Sequence, residues 1–132
     1  KMTFDAVLMD KRGVYLVRTY GWGIKIYGTP DGAMWRREDA KRKEEFENPL
    51  LNLKKGAEEI GKIMEENGVH NLKVMPMVVF ADNYQTPELY LGYGSYSTTY
   101  QELKSWYKKQ SGVKEVQYDY DKVSSIIKGL VK

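Results

Sequence analysis

The sequence predicts an α/β domain with a central mixed β-sheet flanked by helices. Three segments carry that expectation: two neighbouring runs rich in β-branched and aromatic residues near the start, an amphipathic stretch opened by Asn48-Pro49, and the nearly unbroken apolar run VMPMVVFAD at 74–82.

Residues 3–9 (TFDAVLM) and 14–20 (VYLVRTY) are separated by Asp10, Lys11, Arg12 and Gly13, which predicts a hairpin. Gly21-Trp22-Gly23 then reads as a tight strand connection. It lacks the following helix and the Lys-Ser/Thr pair of a phosphate-binding loop. IKIYG (24–28) predicts the third strand of an opening meander, closed by the turn residues Thr29, Pro30, Asp31 and Gly32. The segment 36–47 (RREDAKRKEEFE) sets charges of both signs around Phe46, a pattern that predicts a solvated helix face or a loop.

A helix is predicted over 49–67. Asn48 is a good cap, and Pro49 at the first position forfeits no intrahelical hydrogen bond. Leu50, Leu53, Ala57, Ile60 and Met64 recur at helical spacing, and Gly68 supplies the stop. The run 74–82 suits a strand covered on both faces. ELYLG (88–92) predicts one more strand. Helices over 99–110, capped from Ser97 or Thr98, and over 121–131, capped from Asp119 or Asp121, finish the chain. Met64, Met75 and Met77 read as core filler, and Tyr90, Tyr93, Tyr96 and Tyr100 as strand and loop tyrosines with their hydroxyls in water.

A chain of 132 residues fits one domain. With 42% hydrophobic and 30% charged residues it can fill an interior, which argues against disorder. No apolar run approaches the roughly 20 residues that span a bilayer. The absence of Cys removes disulfides, thiolate metal sites and Cys nucleophiles, and suits a reducing compartment. His70, the only histidine, reads as a solvated turn residue rather than a ligand. A net charge of +3 permits contact with phosphates without forming a dense basic stripe. The start at Lys-Met-Thr, directly before a strand, suggests a domain cut from a longer chain.

Several fragments, in order, resemble one family. FDAVLM carries Asp5, the turn Lys11-Arg12-Gly13 leads into VYLVRTY, IKIYG and Trp35 follow, and NPLLN opens the helix before VMPMVVFAD. The arrangement is similar to the nuclease-related domain (NERD) branch of the PD-(D/E)xK nucleases. That family has an Asp on one strand, Glu-x-Lys on the next, and an Asn-Pro helix with a Gln. The resemblance implies a restriction-endonuclease-like fold and a bacterial parent protein. It also implies that the opening helix usual in the family is missing here.

In such a site the Asp and Glu surround a Mg²⁺ or Mn²⁺ ion, and the Lys steadies the attacking water. The alternation of a strand makes Glu and Lys at i and i+2 share a face. Here the resemblance puts Arg18 at the Glu position, Tyr20 at the Lys position and Asn52 at the Gln position, leaving Asp5 as the only retained ligand. A guanidinium adds a fixed positive charge where a cation would sit, so no metal or other cofactor is expected. The first reading of Arg18 is a structural ion pair with Asp5 across adjacent strands. A second is that Arg18 and Lys25 hold a phosphate or another anion. A third is an active, metal-dependent deoxyribonuclease with migrated residues, Glu59 acting with Asp5 and Lys25. The expectation is therefore a cytoplasmic pseudo-nuclease, a binding or interaction module for nucleic acid or another protein, with membrane anchoring of the parent chain left open.

Overall fold

The computed structural model describes residues 4–10, 13–82, 85–109 and 118–130. Strands β1 (Ala6–Asp10) and β2 (Gly13–Tyr20) form the expected antiparallel hairpin, with Leu8 opposite Tyr15 and Asp10 opposite Gly13. Lys11 and Arg12 of its turn lie outside the described residues. Strand β6 (Val74–Phe80) runs parallel to β2, and β8 (Ser97–Thr99) parallel to β6, giving a mixed sheet of order β1-β2-β6-β8.

The continuous apolar run of β6 has a simple cause. Both faces of this sheet are covered, so neither set of alternating side chains meets water. Val14, Leu16, Val78 and Phe80 pack toward Leu50, Leu53, Ile60 and Met64 of helix α1 (Pro49–Glu66). Tyr15, Val17, Met77 and Val79 pack on the other side with Leu103 and Trp106 of helix α2 (Leu103–Lys109). Gly13 is required where β2 begins: its φ is +138°, and a Cβ there would stand 2.3 Å from the Lys73 carbonyl oxygen that accepts the Val14 N–H.

Sequence and structure part at the third strand. Instead of extending a meander, β3 (Lys25–Tyr27) leaves the first sheet and joins a second one of order β5-β4-β3-β7. There β4 (Met34–Glu38) and β5 (Lys43–Glu47) occupy the segment expected to be a helix face or loop. The hairpin is closed by Asp39, whose carboxylate accepts the backbone N–H groups of Lys41 and Arg42, both at 2.9 Å. Strand β7 (Glu88–Tyr90) runs parallel to β3.

Helix α1 obeys its sequence signals. Asn48 caps it through Leu50 N–H at 2.9 Å, Pro49 starts it, and Gly68 at φ +80° follows its end. The short strand β8 was not expected, and it takes the residues thought to cap the next helix. The turn into α2 is instead held by Thr99, whose hydroxyl both accepts the Glu102 N–H and pairs with its carboxylate. Helix α3 (Tyr120–Leu130) is capped by Asp119 through Lys122 N–H. The expected helix ends at 110 and 131 lie outside the described residues. Val123 and Ile127 bury α3 against the main core, and the Tyr118 hydroxyl donates to the Asp10 carbonyl at 2.6 Å, tying this end of the chain to the first hairpin.

Met64 and Met77 are fully buried, and Tyr90, Tyr93, Tyr96 and Tyr100 are exposed, as expected, whereas Met75 is only partly buried, packed at the edge of the Tyr15 and Met77 cluster. His70 is exposed and pairs with Glu65, whose carboxyl that contact holds below its usual range. No described helix is long and apolar enough to cross a membrane.

Trp35 is the largest fully buried side chain, and it packs across Gly28. A Cβ on Gly28 would stand 2.3 Å from the indole, so Gly28→Ala must displace Trp35 from its place beside Phe46 and Phe80. The expected cost is roughly 2 kcal/mol by overpacking. Urea unfolding measures it, and an unchanged midpoint would mean that the indole relaxes freely.

Candidate functional site

A cleft of about 320 Å³ opens where the two sheets meet the start of α1. Strand β2 sends Arg18 and Tyr20 into it, two residues apart and therefore on one face. Strand β4 adds Arg37, and the end of β5 adds Phe46 and Glu47. Asn48, Pro49 and Asn52 of the α1 start complete the wall.

The Tyr20 ring is the floor around which the charges gather. It stacks on Phe80 at 5.3 Å between centroids, with Arg18 and Arg37 guanidinium carbons at 5.6 and 5.3 Å from its own centroid. Burial pushes the Tyr20 phenol above its usual range, with Arg18 and Arg37 pulling it back. The phenol is therefore a neutral hydroxyl at physiological pH, able to donate.

Arg18 Nε lies 3.7 Å from the Asp5 carboxylate, an ion pair longer than a hydrogen bond. Asp5 itself stands just before β1, outside the cleft wall, and its Oδ2 accepts the Thr19 N–H at 2.7 Å and the Thr19 hydroxyl at 3.1 Å. Both members of the pair are a third or more exposed, so it contributes less than about 1 kcal/mol. Arg37 is far more enclosed, with its side chain 14% exposed. It bonds Glu44 through Nε at 3.2 Å and Nη2 at 2.8 Å, and lies 4.2 Å from the Trp22 ring centroid.

Of the residues singled out in the sequence, Arg18, Tyr20 and Asn52 meet in this cleft. Lys25 does not. Its neighbour Ile26 is the residue paired with Arg37 and buried in the core, so Lys25 faces the opposite side of the second sheet, opposite Glu38 and Glu88 in register. Glu59 lies exposed farther along α1 and is not part of the cleft wall. Arg37 and Glu47 went unrecognised in the sequence. The available signal was the period-two pattern Trp35-x-Arg37 facing Phe46, hidden by the density of charge around it.

Asn48 explains why Asn-Pro stands where it does. It is fully buried, and its Nδ2 donates to the Pro30 and Gly32 carbonyls at 2.9 and 2.8 Å while its Oδ1 caps α1. One amide thus joins the helix start to the turn before β4.

The nuclease-related domain family (NERD) matches residues 1–81. The chain belongs to that family. The NERD segment ends just after β6 and contains every residue of the cleft wall. Strands β7 and β8 and helices α2 and α3 lie beyond it. No curated protein and no solved structure matches the chain.

Metal chemistry in a NERD cleft needs carboxylates at the cation. This wall places the guanidiniums of Arg18 and Arg37, paired with Asp5 and Glu44, beside the single carboxylate of Glu47, one ligand where a divalent ion needs several, and Asp5 is engaged by Thr19 and Arg18. Among the described residues no cluster of three or more His, Cys, Asp or Glu is placed to hold a metal. The donor set therefore does not fit the ion that the family resemblance implies.

Proposed function

We propose that this chain is a degenerate NERD domain, a single restriction-endonuclease-like unit whose metal-dependent cutting chemistry is lost and which works as a nucleic-acid binding module. The reading rests on one observation: Arg18 and Tyr20 occupy the cleft at the positions where the family resemblance puts Glu and Lys, and Arg18 reaches toward Asp5. The mixed sheet carrying the β1-β2 hairpin, with α1 laid across it, supports the fold assignment. What supports phosphate binding without water activation is the pair of guanidiniums of Arg18 and Arg37 at the cleft, working against the Glu47 carboxylate in the same wall.

Calorimetric titration of Mn²⁺ or Mg²⁺ into the purified chain is expected to show no specific binding, and plasmid nicking on the same sample no product. A labelled single-stranded oligonucleotide should bind with a log–log salt slope of about −1.4 if two phosphates are neutralised. Arg18→Ala should weaken that binding while leaving stability nearly unchanged, because its ion pair is solvated. Metal-dependent nicking that disappears in Asp5→Ala would overturn the proposal and make the chain an active nuclease.

A further inference from the structure

The two guanidiniums of the cleft come from different sheets yet face the same tyrosine ring, Arg18 from β2 and Arg37 from β4. We infer that the cleft takes a phosphate monoester, the terminal phosphate of a nucleic-acid strand or free phosphate, held between Arg18 and Arg37. This rests on the binding-module reading and adds the ligand class and the second cation.

The volume is the first argument. About 320 Å³ is near the lower end of small-molecule sites and suits one phosphoryl group with part of a sugar, not the side of a duplex. The second argument is donor geometry. Among the described residues the Arg18 guanidinium makes no hydrogen bond, since its Asp5 contact at 3.7 Å is an ion pair only. Arg37 spends Nε and Nη2 on Glu44, which fixes its orientation and leaves the Nη1 side for a ligand. Tyr20 and Asn52 line the same cleft.

The third argument is charge. A monoester carries about −1.5 to −2 and three free oxygens, whereas a diester carries one charge and two free oxygens. Two guanidiniums from different sheets, paired with Asp5 and Glu44, still offer more donors than a diester's two free oxygens can use and so match the monoester better. Phe46 and Pro49 give an attached sugar an apolar surface to pack on. Glu47 opposes any anion in the cleft and so sets a signed test.

Fluorescence anisotropy on the whole chain tests the inference, with one single-stranded oligonucleotide 3′-labelled and carrying either a 5′-phosphate or a 5′-hydroxyl, and inorganic phosphate as competitor. The 5′-phosphate form should bind roughly tenfold more tightly, the worth of one charge-assisted contact. That preference should shrink in Arg18→Ala and Arg37→Ala, grow in Glu47→Gln, and persist in Lys25→Ala. Glu47→Gln keeps the test sharp if Arg37→Ala folds poorly. Competition by inorganic phosphate, with both oligonucleotides binding alike, would place free phosphate in the monoester site. Equal binding of the two oligonucleotides with no competition would overturn the inference while leaving nucleic-acid binding intact. Failure of every probe to bind at low salt would overturn both.

Discussion

Asn48→Asp is expected to lower stability by about 3 kcal/mol, near 10 °C in melting temperature for a chain of this size. The side chain is fully buried and its Nδ2 donates to the Pro30 and Gly32 carbonyls at 2.9 and 2.8 Å, with the Thr29 carbonyl at 3.4 Å. A carboxylate of the same shape still caps Leu50 but cannot donate, and it sets a buried negative charge against those carbonyl oxygens. The loss should depend on pH in a defined direction. Burial raises the introduced carboxyl's pKa in the folded state above its unfolded value near 4, so the protonated form is favoured on folding. Stability is then recovered as pH falls toward about 4 and lost as it rises through the folded value. Thermal melts at pH 4 and pH 7 make the comparison. A variant melting within 2 °C of the parent at pH 7, on the order of half a kcal/mol, would show that the turn 29–32 does not depend on this amide.

The double substitution Arg18→Glu with Tyr20→Lys is expected to create divalent-metal binding where the parent is expected to show none. It restores the side chains that the family resemblance assigns to those positions, on the strand face that already lines the cleft. Without metal the new carboxylate stands near Asp5, and the stacking of Tyr20 on Phe80 and its tilted contact with Phe46 are lost, at a combined cost of roughly 3 kcal/mol. Metal should return much of that, about 2.7 kcal/mol at a hundredfold excess over its dissociation constant. A melting temperature that rises with Mn²⁺ in the double variant alone, and stops rising when Asp5→Ala is added, is the expected signature. A comparable rise in the parent would sink the claim that its metal chemistry is lost.

How much of this could be read from sequence follows the kind of signal each element carries. The first hairpin, α1 and the doubly covered β6 were legible because apolar periodicity and caps agree locally, as with Asn48, Pro49 and the Leu50 to Met64 stripe. The β4-β5 hairpin was not, because its inward residues include Arg37, whose charge disguises the strand period. Arg37 can face inward only because Glu44 neutralises it and the Trp22, Tyr20 and Phe46 rings accept its faces. Those partners are fixed by tertiary structure, so sequence alone pointed to Lys25, which falls on the wrong side of β3. The departure of β3 into a second sheet and the short strand β8 depend on pairing with distant strands, β7 and β6, and leave little local trace.

Trp22 lies beneath two guanidiniums, Arg37 at 4.2 Å and Arg42 at 3.9 Å from its ring centroid. A cation over an indole alters the energy of its excited state, so Trp22 emission depends on where Arg37 sits. Trp35, 1% exposed, supplies a steady signal for comparison. Trp22 thus touches the same side chain that faces the cleft, and against the emission of Trp35 and Trp106 a shift in the colour of its light on adding phosphate is the expected sign of a filled cleft.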